Sequence, residues 1–313
     1  ELVAQSGADA VFWNRRYEPA IVSRDTEIKK ALAEKGVTAR SFNGSLLQSP
    51  LKVESKSGAP YKVFTPFWKR LQSMRQREPL GRPGRLAAPA SWPEGQPLDS
   101  LELLPKLGWA DGFEEEWKPG EKGGLEALAA FARDRASSYS ETRDTPSVRG
   151  VSKLSPHLHF GELSPNQVWH GLDREKHEPY LRQIAWREFG HHLLYHFPDT
   201  PEKPLRPEFE AFPWKSDRKQ LRAWQQGRTD YPIVDAGMRE LWHTGWMHNR
   251  VRMITASFLV KHLLQPWQAG AEWFWDTLVD ADLANNTMGW QWVAGCGADA
   301  APYFRIFNPM TQG

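Results

Sequence analysis

Helical periodicity dominates this sequence from Gly123 onward and restricts the fold more than any other feature. Apolar residues recur at intervals of three and four in GLEALAAFARDRASSYS, in EPYLRQIAWREFGHHLLYHF and in PIVDAGMRELWHTG, where Pro232 opens the run. WMHNRVRMITASFLVKHLLQ follows and becomes almost continuously hydrophobic at ITASFLV. This part of the chain is therefore predicted to be a helical domain with a large core.

The beginning of the chain has a different pattern. Ala10 to Trp13 predicts a buried strand, SRDTEIKKALAEKG an amphipathic helix starting at Ser23 or Asp25, and VTARSFN a second short strand. This order is the βαβ pattern of a Rossmann-like fold, of which only part is present.

A stretch rich in Pro and Gly, EPLGRPGRLAAPASWPEGQP, separates the two patterns and predicts a long surface linker. The expected fold class is thus α/β plus all-α: a partial Rossmann-like domain at 1–70, a linker at 71–120 and a helical domain at 121–313.

Composition narrows the class of protein. The 313 residues are 40% hydrophobic and 25% charged, which is typical of a globular protein. Cys296 is the single cysteine, which excludes an internal disulfide framework and favours a reducing, cytoplasmic location. No run of 18 apolar residues or signal peptide is present, so no membrane partner is expected. The net charge of +2 offers no global argument for nucleic acid, so any such argument must rest on local patches.

Tryptophan is unusually frequent. The chain contains 16, of which 11 follow residue 160. Core packing would explain many of them, but the clustering in the second half also favours a function that needs indoles there.

Two predicted helices combine polar and aromatic residues on one face. Tyr180, Gln183, Arg187 and Gly190 share a face beside Trp186, which suits a flat ligand with polar edges, although a surface arginine and a buried indole would explain it equally well. A second stripe, over 246–264, consists of Trp246, Asn249, Met253 and Ser257, flanked by Arg250 and Arg252.

The stretch DADLANNTMGWQW supplies carboxylates for Arg252. A charged group in so apolar a helix needs partners, and Asp280 and Asp282 are the candidates, either as a structural ion pair or as part of a ligand site. Asp282, Asn286 and Trp290 are spaced four apart and would share one helical face.

Two further motifs are weaker. In GVSKLSPHLHFGELSP, backbone N–H groups at a helix start with Ser152 and Ser155 could hold phosphate, although an ordinary N-cap at Ser155 is the alternative. His192 and His196 have a metal-compatible spacing, but no acid or cysteine joins them in that run, so no metal is predicted.

Three long stretches carry a resemblance that covers essentially the whole chain and is densest from 139 to 313. YPIVDAGMRELWHTGWMHNRVRMITASFLVKHLL, DADLANN…WQW and DAAPYFRIFNPMTQG are similar to the photolyase and cryptochrome family. Family members extend further in both directions, so the chain, which begins with Glu1 rather than Met, is expected to be truncated at both ends.

The resemblance implies a U-shaped FAD in the helical domain, reduced in the active state, and allows an antenna chromophore of unspecified identity in the α/β domain. Val151 stands where the phosphate-binding run usually has Thr, and Asn286 matches the residue that faces flavin N5. The residues matching cofactor contacts are Tyr139, Ser152, Lys153, Leu154, Ser155, Arg187, Asn249, Arg252, Asp280, Asp282 and Asn286.

The resemblance also implies roles in electron transfer and DNA binding. Trp290, Trp267 and Trp214 match the chain of indoles that passes an electron to the flavin and, with Asn286, are the predicted catalytic residues. The residues matching contacts to a flipped-out lesion and to DNA are Arg143, Gln183, Trp186, Asn249, Arg250, Met253 and Trp292.

Within the family, the sequence favours a monomer that repairs cyclobutane pyrimidine dimers in UV-damaged DNA by light-driven electron transfer. Six-four photolyases place histidines where this chain has Asn249 and Met253, whereas Gln183 replaces the Glu that commonly contacts the dimer. The alternatives are a six-four photoproduct lyase and a cryptochrome, a light receptor without repair activity. A cofactor-free DNA-binding module would leave Asp280, Asp282 and Asn286 together unexplained and predicts colourless protein.

Overall fold

The computed structural model describes residues 1–313 except 56, 90, 105, 107, 301, 303, 304 and 313. The motif DAAPYFRIFNPMTQG therefore lies partly outside the described residues. Within the described part, the regular elements in chain order are α1 (Leu2–Ser6), β1 (Ala10–Asn14), α2 (Pro19–Glu34), β2 (Thr38–Phe42), α3 (Phe64–Ser73), α4 (Phe113–Glu116), α5 (Glu121–Asp134), α6 (Tyr139–Thr142), α7 (Ser155–His159), α8 (Pro165–His170), α9 (Glu178–His196), α10 (Arg218–Gln225), α11 (Pro232–Thr244), α12 (Asn249–Ser257), α13 (Trp267–Thr277) and α14 (Leu283–Ala294).

The predicted βαβ unit is present. β1 and β2 pair in parallel and α2 connects them. α2 begins at Pro19, earlier than predicted, because proline suits the first turn of a helix. The prediction of a buried β1 was wrong: Phe12 is 60% exposed. Trp13 points toward α2, where its indole N–H donates to Asp25 at 2.9 Å, so the alternating Phe12 faces away from that helix.

The predicted linker contains little regular structure but is anchored by tryptophans. Between residues 76 and 120 the described part holds two short 3₁₀ turns and α4. The Trp117 indole N–H donates to the Thr244 carbonyl at 2.8 Å, and Trp109 packs against Trp242 with ring centroids 5.7 Å apart. These indoles therefore fix the linker on the end of α11.

Two clusters of buried side chains form the helical core. The first is built on α3, α5 and α9, and the second on α11 to α14. α9 crosses α14 at Gly190, where a Cβ atom would lie 3.1 Å from Asn285 Oδ1 and 3.4 Å from the Ala284 carbonyl oxygen. This close approach places the polar residues of α9 beside the first turn of α14.

The predicted helices agree with α9 and α11, but the stretch 246–264 is not one helix. α12 begins at Asn249 after a His248 N-cap, and a π-helical turn, Phe258–His262, follows Ser257. Trp246 therefore precedes the helix and does not share the predicted stripe. Among the described helices, none is long and apolar enough to cross a bilayer.

Candidate functional site

The predicted partnership between α12 and the acidic stretch is confirmed for one of the two acids. Arg252 donates from Nη2 to both carboxylate oxygens of Asp280, at 2.9 and 3.1 Å, and from Nε to the Met247 carbonyl at 2.8 Å. The Asp280 side chain is only 3% exposed. Since the Arg252 side chain is 25% exposed, the pair lies at the boundary between the buried core and solvent.

Asp282 does not pair with Arg252, because it is the N-cap of α14. Its Oδ1 accepts from the backbone N–H of Asn285 at 2.8 Å, and its Oδ2 lies 3.2 Å from Nε2 of His191. Burial would raise the pKa of the Asp282 carboxyl, but His191, Arg187 and the Asn285 N–H outweigh it and hold that pKa well below its usual range.

Asn286 and Trp290 follow on successive turns of α14. The Asn286 amide donates to the Ala271 carbonyl at 2.9 Å, which fixes its orientation. The Trp290 ring packs edge-on against Phe274 and Trp224, with centroids 5.0 and 6.1 Å away. The predicted common face of Asp282, Asn286 and Trp290 thus extends from the cap into the second core cluster.

Gly270 and Trp224 contribute to this arrangement and were not predicted. A Cβ atom at Gly270 would lie 2.1 Å from the Trp290 ring, so only glycine leaves room for that indole. Trp224 is fully buried, and its N–H donates to the Thr255 carbonyl at 3.0 Å. No local pattern distinguishes either residue, since both depend on contacts between different helices.

Trp267 and Trp214 border one cavity of about 280 Å³. Trp267 is 2% exposed and belongs to the same core cluster as Trp290, and Trp214 packs against that cluster. The three predicted electron-transfer indoles therefore lie in one region, and their order of transfer stays a prediction.

The predicted phosphate-binding run forms a tight turn before α7. Lys153 has a left-handed backbone, with φ of 56°, and the Tyr180 hydroxyl donates to Ser152 Oγ at 2.8 Å. The Lys153 ammonium pairs with Glu116 and lies 4.6 Å from the centre of the Trp246 ring. Ser155 is not an N-cap, because it is already helical and its side chain caps no N–H group. Backbone N–H groups in such a turn can hold an anion, while the lysine side chain is engaged elsewhere.

Arg187 and its neighbour Glu188 connect α9 to the α/β part. Arg187 donates to the Ser45 carbonyl at 2.7 Å, and Glu188 accepts from the N–H groups of Leu47 and Gln48 at 2.8 and 3.3 Å. Burial raises the pKa of the Glu188 carboxyl to about 7, against the opposing effect of Arg187.

Glu188→Gln should change how stability depends on pH. The Glu188 pKa is higher in the folded protein than in the unfolded chain, so protonated Glu188 contributes to the free energy of unfolding. This contribution is complete below about pH 4.5 and is lost as the pH rises through about 7. The variant should therefore be more stable than the parent at about pH 8, by about 1–3 kcal/mol, and should differ less at about pH 5. Urea unfolding at both pH values measures this. Glu208→Gln, which changes an exposed acid, is the control. If the free energy of unfolding changed equally with pH in all three proteins, the prediction would be contradicted.

The residues predicted to contact DNA belong to α9, α12 and α14, apart from Arg143, which follows α6. Trp186 stacks on Phe64 with centroids 3.7 Å apart and an interplanar angle of 6°, and the Gln183 amide donates to the Pro179 carbonyl at 3.3 Å. Asn249 is exposed, and the other members are partly exposed: Arg143, Gln183, Trp186, Arg250, Met253 and Trp292.

One acid lies among these cations. Asp144 is 2.7 Å from Arg250 and 3.6 Å from Arg143, and its side chain is 48% exposed. Both arginines are therefore partly neutralised and held near the surface before any polyanion binds.

The residues present fit FAD. Largely buried guanidinium groups at Arg187 and Arg252 and the left-handed turn at Lys153 suit the pyrophosphate, since these groups pair with anions. Buried Asp280 can accept from hydroxyl groups, and the oriented Asn286 amide offers both an acceptor and a donor to a flavin edge.

Comparison with known proteins agrees with this donor set. Residues 1–84 match the family described as DNA photolyase, and residues 180–313 match the FAD binding domain of DNA photolyase. The deoxyribodipyrimidine photo-lyase of Agrobacterium fabrum is 50% identical over 322 residues, which cover 100% of this chain and 67% of that protein. Cryptochrome-1 of Arabidopsis thaliana is 36% identical over 338 residues, covering 100% of this chain and 48% of that protein. The crystal structure of a bacterial class III photolyase from Agrobacterium tumefaciens superimposes with a TM-score of 0.96 at 49% identity, covering 100% of this chain and 67% of that one.

A small parallel α/β unit joined to a helical domain with these donors defines a flavin-binding protein. The chain belongs to the photolyase and cryptochrome family. It spans about two thirds of the length of the Agrobacterium photo-lyase, at 67%. The expected fold class and the FAD cofactor are confirmed, while the domain bounds and the roles of individual residues stay predictions.

Proposed function

We propose that this protein is a deoxyribodipyrimidine photo-lyase, which uses light and FAD to split cyclobutane pyrimidine dimers in DNA. The observation that carries the proposal is the two-sidedness of α12. Its Arg252 pairs with the buried carboxylate of Asp280, while Asn249 of the same helix is exposed and contacts the partly exposed Met253, with Nδ2 and Sδ 3.7 Å apart. A lesion held there would lie within a few side chains of the cofactor.

Bound FAD supplies light absorption and the exchange of one electron with the dimer. The chain's own residues bind and orient the substrate. The amides of Asn249 and Gln183 can donate to the dimer carbonyls and so stabilise the negative charge that develops there. Trp186, held flat by Phe64, and Trp292 offer aromatic walls for a dimer flipped out of the duplex.

Asn249 and Met253 of α12 favour dimer repair over the other family activities. Asn249 and Met253 provide no proton donor comparable to histidine, and splitting a cyclobutane ring needs none. The cryptochrome alternative keeps the same flavin site, and the 36% identity to Cryptochrome-1 is lower than the 50% to the Agrobacterium photo-lyase. We further propose that the protein acts as a cytoplasmic monomer, with residues 1–70, 71–120 and 121–313 as its α/β domain, linker and catalytic domain.

An anaerobic absorption assay tests the proposal. Purified, reduced protein is illuminated with blue light in the presence of an oligonucleotide carrying one thymine dimer, and recovery of the thymine absorption band is followed. Recovery in light but not in darkness supports dimer repair. Flavin that photoreduces without recovery supports the cryptochrome alternative, and recovery only on a six-four oligonucleotide supports the other lyase.

Trp186→Ala should reduce the preference for damaged over intact DNA. Loss of one aromatic wall removes stacking of about 1–3 kcal/mol, which corresponds to a loss of discrimination of about fivefold to a hundredfold. Competition binding with damaged and intact oligonucleotides measures it. Trp275→Ala removes another indole, which is 47% exposed on α13, and should leave the ratio unchanged. An unchanged ratio in Trp186→Ala would remove that residue from the substrate pocket.

Asp144→Asn should strengthen binding to intact duplex DNA several-fold at low salt. The change frees Arg250 and Arg143 from a carboxylate at 2.7 and 3.6 Å, so that more positive charge can contact phosphates. Dissociation constants measured over a salt series should show a steeper dependence than in the parent. Asp276→Asn removes the same charge from an exposed position on α13 and serves as the control. Identical salt dependence in both variants would contradict the prediction.

A further inference from the structure

His191 is a buried polar side chain whose ring nitrogens lack hydrogen bonds within the described part of the chain. Its side chain is 5% exposed, and neither ring nitrogen has a hydrogen-bond partner among the described residues. Nε2 is 3.2 Å from Oδ2 of Asp282, close enough for an ion pair although not aligned as a hydrogen bond. A buried imidazole in this position is costly unless its interaction with the carboxylate compensates.

Asp282 uses its other oxygen to begin α14. Oδ1 accepts from the backbone N–H and the amide of Asn285, at 2.8 and 2.6 Å, which leaves Oδ2 to face α9 and α7. His159 of α7 is also near, with Nδ1 4.0 Å from Oδ2. The carboxylate therefore lies between two imidazoles and the first turn of the helix that carries Asn286 and Trp290.

Other charged groups surround this cluster. Two arginines interact electrostatically with Asp282. Arg187 of α9 lowers the pKa of the Asp282 carboxyl, and Asp282 in turn raises the pKa of Arg16 in the α/β part. His191 lowers the pKa of the Glu18 carboxyl, and the Tyr17 ring packs edge-on against the His191 ring with centroids 6.3 Å apart. Asp280 adds a second acid near His159. Of these groups, His191 is the one in closest contact with the oxygen that Asn285 does not use.

We propose that His191 is a positioning residue for the flavin site: it keeps Asp282 ionised and oriented at the start of α14, and thereby maintains FAD affinity at mildly acidic pH. The inference rests on the proposed assignment of Asp282 to the cofactor site. Without His191, Oδ2 of the buried Asp282 carboxyl would lose its contact with the imidazole, so the carboxyl would bind a proton more readily. A protonated carboxyl accepts fewer N–H groups, which weakens both the cap of α14 and any donor contact from the cofactor.

FAD affinity measured against pH tests this, by the fluorescence of released flavin and without any activity assay. His191→Phe keeps a ring of similar size but removes the ring nitrogens that face Asp282, and His191→Gln restores an N–H donor. Between about pH 8 and about pH 5.5, the parent should change little. His191→Phe should bind FAD about tenfold more weakly at the acidic end and approach the parent at pH 8, with His191→Gln between them.

His157→Phe is the matched control, because it breaks another histidine–carboxylate pair, in which Nδ1 of buried His157 of α7 is 2.5 Å from Glu162. It should lower the melting temperature but keep the parent's pH profile. The proposal would be overturned if FAD affinity changed with pH in the same way in His191→Phe and the parent. It would also be overturned if His157→Phe lost as much FAD affinity at acidic pH as His191→Phe. If His191→Phe does not fold, the profile of His191→Gln decides the question. A parent that binds no FAD at pH 8 would instead refute the proposed cofactor site itself, and so the two failures are distinguishable.

Discussion

Gly270→Ala should lower the free energy of unfolding by about 3 kcal/mol, although alanine is the better helix former. The added methyl group would lie 2.1 Å from the six-membered ring of Trp290, far inside van der Waals contact. α13 must then move away from α14, or the indole must leave its place against Phe274 and Trp224. Since Asn286 donates to Ala271, the residue after Gly270, the same shift should weaken FAD binding.

Urea unfolding at a constant FAD concentration measures the first effect, and flavin released on desalting measures the second. Trp290→Phe provides the matched background, because a shorter ring vacates the space that the methyl group needs. In that background Gly270→Ala should cost much less than in the parent. A cost that is equal in both backgrounds would show that the methyl group conflicts with something other than Trp290.

Arg252→Ala should be the second severe change, lowering the free energy of unfolding by about 2–4 kcal/mol. It leaves the Asp280 carboxylate, 3% exposed, without the guanidinium that contacts both its oxygens. The estimate lies at the lower end for a buried pair because the Arg252 side chain is 25% exposed and water can partly replace it. FAD should also be lost, since a cation of the proposed phosphate site is removed.

The double variant Arg252→Gln with Asp280→Asn separates these effects. Two amides can hydrogen-bond without burying a charge, so stability should recover in part, whereas FAD affinity should stay low. Thermal melting with and without added FAD measures both. Full recovery of FAD binding in the double variant would show that the pair acts only as a structural contact.

Local periodicity explains why so much of the fold could be predicted. Pro232 and the apolar spacing of α9 and α11 specify those helices through short-range geometry, and the βαβ order specifies parallel pairing of β1 with β2. The break between α12 and the π-helical turn was missed, because ITASFLV is hydrophobic on every side and its pattern contains no interruption. The exposure of Phe12 was also missed, since apolar character alone does not show which face of a strand another element covers.

By itself, the sequence determined the helical domain, the α/β unit and, through long specific motifs, the family and its cofactor. Only the tertiary structure decided which groups meet. It pairs Arg252 with Asp280, assigns Asp282 to His191 and the cap of α14, and makes Gly270 necessary for Trp290. The physical reason is range: helix and strand signals act over a few neighbouring residues. The contacts Arg252–Asp280, His191–Asp282 and Gly270–Trp290 instead join positions 20 to 91 residues apart and depend on how helices cross.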